Sequence, residues 1–182
     1  GSSSGFDPSY LEVAREVGQD LVARGLVLVC GGARVGLLGE VADVVLKAGG
    51  CAVGIIPKLL AQKVSHPGLT ELHIVDSMHE RKQKMFELSD GFIALPGGYG
   101  TLEEVLEIMT WAQLGMHGKP CGLLNVKGYF DGLLSFLDHS VAEGFIKQEH
   151  RGMLLVASAP GILLDRFDSY TVPQVEKWIG IK

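Results

Sequence analysis

Metal-ligand spacings are missing from this sequence. The three cysteines, Cys30, Cys51 and Cys121, stand far apart with no Cys-x-x-Cys pair among them. They read as buried reduced thiols rather than a zinc or disulfide framework. The six histidines show no His-Glu-x-x-His arrangement, so no metal site is expected. Long apolar runs are absent too. None approaches the roughly 20 residues that a membrane-crossing helix needs. No basic segment leads into an apolar stretch, as a secretory signal would require. The chain is therefore expected in the cytosol, away from membranes. An excess of one charge is also lacking: 16 basic and 21 acidic residues are mixed along the length, for a net charge of −5. That excludes broad electrostatic binding to nucleic acid or anionic lipid, while leaving room for a small anion held by local groups. Two nucleotide fingerprints are missing as well. There is no Gly-x-Gly-x-x-Gly with a ribose-binding acid after the next strand, and no Gly-Lys-Ser/Thr ending. NAD and nucleoside triphosphates are poor candidates for a ligand.

What is present is a globular composition, 47% hydrophobic and 20% charged over 182 residues, enough for one domain with a core. Helical periodicity predicts helices over 8–24, 36–48, 78–88, 101–114, 129–143 and 159–167. Between them lie apolar runs that predict strands at 26–30, 51–56, 72–75, 91–95, 120–125 and 154–157. The stretch after Pro57 is looser, and 173–182 has no clear pattern. Strands alternating with amphipathic helices imply an α/β fold, a Rossmann-like doubly wound parallel sheet, as a single domain over 1–182. Ligands in such sheets bind beyond the carboxyl ends of the strands. Two glycine-rich loops fall there.

The sharper loop is Leu95-Pro96-Gly97-Gly98-Tyr99-Gly100-Thr101. Glycines let backbone N–H groups approach an anion, and a helix start adds partial positive charge. Thr101 could cap the helix or donate its hydroxyl to phosphate. With Glu104 it also has capping-box spacing, a structural reading that competes with any chemical role for Glu104. The second loop runs from Cys30 to Gly39 and contains Gly31, Gly32 and Gly36. Its glycines could serve an anion or simply let the next helix pack close to the sheet. Between the loops, Ser77 and Glu80 have capping-box spacing, and Arg81 and Lys82 follow. A cation in the first helical turn costs ~0.3–1 kcal/mol against the dipole. A carboxylate or a ligand is expected to compensate Arg81.

Three motifs occur in order: Gly-Gly-x-x-x-Gly-Leu-x-Gly at 31–39, Met-x-x-Arg-Lys at 78–82, and Pro-Gly-Gly-x-Gly-Thr-x-x-Glu at 96–104. On them the chain resembles the LONELY GUY phosphoribohydrolases, once widely mislabelled as lysine decarboxylases. The likeness continues through Thr110-Trp111-Ala112-Gln113-Leu114-Gly115 and Asn125-Val126-Lys127-Gly128-Tyr129. The resemblance implies release of a free base, often a cytokinin or adenine, from a nucleoside 5′-monophosphate. It implies no metal or organic cofactor, and a homodimer or higher homo-oligomer. By motif match Arg81 and Glu104 are catalytic. Lys82, Gly97, Gly98, Tyr99, Gly100, Thr101, Thr110, Gly31, Gly32 and Gly36 bind substrate. Gly1-Ser2-Ser3-Ser4-Gly5, which alone could pass for a cloning scar, then reads as native, with a first strand expected before it. Two departures stand out: Ala33 replaces a third glycine, and Lys63 lies where the family usually has a substrate-contacting glutamate.

Breaking an N-glycosidic bond builds positive charge on the ribose as the base leaves. A carboxylate beside the anomeric carbon would stabilise that charge or activate water, the role implied for Glu104. Arg81 would orient ribose or phosphate. The alternative is a Rossmann-like carrier of a nucleotide or phosphorylated cofactor that does no chemistry, a reading that Lys63 favours. A pyridoxal-phosphate decarboxylase would need a Schiff-base lysine and a much larger fold, and is set aside.

Overall fold

In the computed structural model, which describes residues 3–173 and 175, the apolar runs become strands whose bounds shift by no more than two residues at either end. Residues 1–2, 174 and 176–182 lie outside the description, and with them part of the opening Gly1–Gly5 segment and most of the patternless tail. Internal contacts divide the chain into two units, Gly1–Ser89 and Asp90–Lys182.

The first unit runs α1 (Ser9–Ala23), β1 (Leu28–Cys30), α2 (Gly36–Lys47), β2 (Ala52–Pro57), α3 (Lys58–Val64), β3 (Glu71–Val75) and α4 (Met78–Leu88). Its strands are parallel in the order β1-β2-β3, with Val29 opposite Val53 and Ile55 opposite His73. All six residues of β2 are buried. Successive side chains point to opposite faces of a sheet, so such a run means that both faces are covered. Val53, Ile55 and Val75 form a core cluster with Val29 and Met85 packed on it. β1 starts two residues later than its apolar run suggests, for a local reason. Gly25, at φ +66°, ends α1 by donating to Val22 O, and Leu26 N–H reaches back to Leu21 O. This pair of hydrogen bonds is a helix-ending motif that takes Leu26 out of the strand. α3 falls in the looser stretch. It contains no buried residue, so it has no apolar stripe to announce it.

The second unit runs β4 (Phe92–Ala94), α5 (Tyr99–Gln113), β5 (Cys121–Leu124), a single 3₁₀ turn (Val126–Gly128), α6 (Asp131–Ala142), α7 (Gln148–Gly152), β6 (Leu154–Ala157) and α8 (Pro160–Asp168). These strands are also parallel, in the order β4-β5-β6. β5 is buried throughout, so this sheet too is covered on both faces. Ala94, Val105, Cys121, Leu123, Phe130, Leu137 and Leu154 form its core. Burial pushes the Cys121 thiol up to about 12, which keeps it protonated and inert.

Candidate functional site

Each glycine-rich loop leaves the carboxyl end of a strand. In the first unit, β1 ends at Cys30 and the loop turns into α2. Gly32 and Gly36 sit at φ +72° and +73°, left-handed backbone that L side chains rarely adopt. The loop is pinned from outside. His66 N–H donates to Gly32 O at 2.9 Å, Arg34 N–H donates to Val64 O at 2.9 Å, and Ala33 bridges antiparallel to Ser65. His66 is itself buried. Its Nδ1 accepts from Gly68 N–H at 3.1 Å, so the ring proton belongs on Nε2, 3.2 Å from Asp43 Oδ1. Ala33 is not among the left-handed residues. An alanine therefore fits where the family commonly has a third glycine. Lys63 is exposed in the last turn of α3.

Arg81 comes from α4. Ser77 caps that helix, its Oγ accepting from Glu80 N–H at 3.1 Å, as its spacing predicts. The return bond of the box falls one residue early, with Glu80 Oε2 accepting from Asp76 N–H at 2.8 Å. Arg81 is half-buried, and its Nε donates to the Ile55 carbonyl of β2 at 3.1 Å. A backbone carbonyl of the neighbouring strand is thus one of the acceptors that meet the cation. The guanidinium lies so near Gly31 that a Cβ there would overlap Nη2. Cys30, one residue earlier, is buried, and burial raises its thiol despite the lowering effects of a Gly32 backbone hydrogen bond and the Arg81 charge. Lys82 is half-buried on the next position of the helix.

In the second unit, Leu95 and Pro96 are buried and the chain then emerges, with Gly98, Tyr99 and Gly100 exposed. The helix starts at Tyr99, two residues before the predicted 101, with Gly98 as its cap and no side-chain cap bond. Leu102 N–H closes the first turn on Gly98 O at 3.1 Å. Two expectations are corrected by this. Thr101 is inside the helix and does not cap it. Glu104 then completes no capping box, because such a box needs its carboxylate three residues after the cap and the cap is Gly98, not Thr101. The first turn of α5 holds no acid, so its unpaired N–H groups keep the positive end of the dipole. The Thr101 hydroxyl lies back over Gly97, where any Cβ would overlap it. Glu104 is half-buried beside the core residue Val105. Thr110 is exposed, and its Oγ1 donates to Leu106 O at 2.7 Å, so its proton is already used within the helix.

Within the first unit the fold thus brings Gly31 and Gly32 together with Arg81, and within the second it gathers Gly97, Thr101 and Tyr129. Tyr129 went unassigned in the sequence reading. Its Oη donates to Gly97 O at 2.9 Å across 32 residues of sequence. Its motif was visible, but only as part of a family likeness. His66 and the Ile55 carbonyl were missed altogether, and no local signal marks either. Among the described residues, no three His, Cys, Asp or Glu side chains are grouped to hold a metal ion. No described helix is long and apolar enough to cross a membrane.

The chain is similar to known proteins in sequence and in fold. The family described as "Possible lysine decarboxylase" matches residues 38–167. A protein of rice, Oryza sativa subsp. japonica, described as a probable cytokinin riboside 5′-monophosphate phosphoribohydrolase, is 51% identical over 171 residues, 93% of this chain and 75% of its own. A cytokinin riboside 5′-monophosphate phosphoribohydrolase of Arabidopsis thaliana is 47% identical over 178 residues, 97% of this chain and 83% of its own. Among solved structures, the molybdenum cofactor binding protein of the phototrophic bacterium Rippkaea orientalis superposes with a TM-score of 0.69 at 26% identity, over 91% of this chain and 90% of that one.

Proposed function

This chain belongs to the cytokinin riboside 5′-monophosphate phosphoribohydrolase family, and from that premise we propose that Glu104 and Arg81 carry its chemistry. The enzyme hydrolyses the N-glycosidic bond of a nucleoside 5′-monophosphate, giving free base and ribose 5-phosphate. As the bond breaks, the ribose gains positive charge. Glu104 stabilises that charge and positions or activates the attacking water. Arg81, with Nε on Ile55 O, orients ribose or phosphate through its guanidinium. Gly97, Gly98, Tyr99, Gly100 and Thr101 bind the phosphate at the start of α5, where no side chain caps the helix, with Lys82 adding charge. Gly32 and Gly36 shape the first loop. The phosphate is then a remote handle whose binding energy orients the reacting bond. The base is adenine, with or without an N6-prenyl group, and the protein works as a homodimer or larger assembly.

The observation that carries the role of Glu104 is the start of α5. With Gly98 as the cap, the structural duty that competed for this carboxylate is gone. Adenine release from AMP tests the whole reading. Monophosphates should be cleaved much faster than the matching nucleosides, and equal rates for AMP and adenosine would overturn the phosphate assignment. Carriage without chemistry is the second reading, favoured by the likeness to a cofactor-binding protein. AMP that binds and never yields adenine would establish it.

A further inference from the structure

Gly31 is a glycine that its own backbone does not require. Gly32 and Gly36 need theirs for a left-handed φ, whereas Gly31 is not among the left-handed residues. The obstacle to a side chain at Gly31 is Arg81. An added Cβ would overlap Nη2 and would lie 3.3 Å from Cζ and 3.7 Å from Nε, and these three atoms are its nearest neighbours. The guanidinium is thus held at Nε by the Ile55 carbonyl and abuts the bare Cα of Gly31 at Nη2. A planar fork fixed at one edge has little freedom left to re-aim its other donors.

We infer that Gly31 is a positioning residue, whose missing side chain sets where the Arg81 guanidinium rests. The inference deepens the catalytic reading of Arg81 and rests on it for its effect on rate. It gives the first glycine of the loop a duty toward a side chain rather than toward phosphate. A displacement of about 1 Å in a substrate-orienting group can cost about 100-fold in rate.

Gly31→Ala is the test. The atom it displaces is the far end of a flexible side chain, so the variant should fold and melt close to the parent. A crystal structure should show the guanidinium moved off Ile55 O. The kcat/KM for AMP should fall about 10- to 100-fold. In an Arg81→Ala background the same change has nothing to displace and should cost no further activity. Parental kcat/KM in Gly31→Ala, an unmoved guanidinium, or an undiminished loss in the Arg81→Ala background would each overturn the inference. So would a Gly31→Ala chain that fails to fold, since backbone would then be what excludes the side chain. Arg81→Ala with parental turnover would instead remove the catalytic role of Arg81. The crystal structure of Gly31→Ala would still decide the positioning.

Discussion

Glu104 stands in the second turn of a helix capped by Gly98, and that placement sharpens what its replacement should do. A capping carboxylate could be exchanged for glutamine with little effect, since glutamine serves a capping box equally well. Here there is no box to preserve. Glu104→Gln keeps the shape and removes the charge, so adenine release should fall at least about 100-fold. Calorimetric titration with AMP should show binding retained or tightened, because a negative charge has been taken from the neighbourhood of a bound anion. Melting should shift by no more than about 0.5 kcal/mol in stability, as for changes outside core and caps. Near-parental turnover would end the catalytic assignment. Arg81 teaches a related lesson. Its cost against the dipole of α4 was readable from sequence, but the Ile55 carbonyl that meets it was not, because 26 residues separate them.

The turn that follows β5 works as a single piece. Asn125 Oδ1 accepts from Phe130 N–H, and its Nδ2 donates to Asp131 Oδ1, both at 2.7 Å. Lys127 and Gly128, at φ +52° and +74°, reverse the chain between those anchors. The Tyr129 ring meets Phe130 edge-on at 5.0 Å and sends its hydroxyl to Gly97 O. In a trans peptide C=O and N–H point opposite ways, so this bond also aims Gly98 N–H. Between two glycines that peptide would otherwise turn cheaply. Tyr129→Phe keeps the ring contact and frees the peptide. Affinity for AMP should weaken about 3- to 10-fold, while affinity for adenosine stays level. Unchanged AMP affinity would show that the loop holds its own shape. At this scale the strands and long helices were legible because each carries a period of apolar residues. α7 is only five residues long, and α3 buries nothing, so neither could be read. The start of α5 was misplaced because Thr101 and Glu104 imitate a cap that two preceding glycines make unnecessary. The glycine loops and the Arg and Glu positions were visible as motifs, while the contacts that hold them are tertiary and have no local trace.

Taken whole, the chain leaves large apolar side chains in water. In the second unit Phe145 is 83% exposed, Met116 65%, Phe136 63% and Leu114 45%. Exposed apolar side chains of this size are the material of an association surface when they lie side by side, and the homodimer or larger assembly proposed above has a direct test. Light scattering should return at least twice the 19.5 kDa of one chain, and the single-chain mass at working concentration would count against assembly. The division of labour among the three loop glycines has a last consequence, for the pattern of substitutions that the protein can survive. Gly32 and Gly36 answer to the backbone, so side chains there should lower the amount of folded protein. Gly31 answers to a guanidinium, so small side chains there should leave the amount intact and silence it. A library of single substitutions sorted by abundance should therefore lose positions 32 and 36. Resorted by adenine release, the survivors should lose position 31.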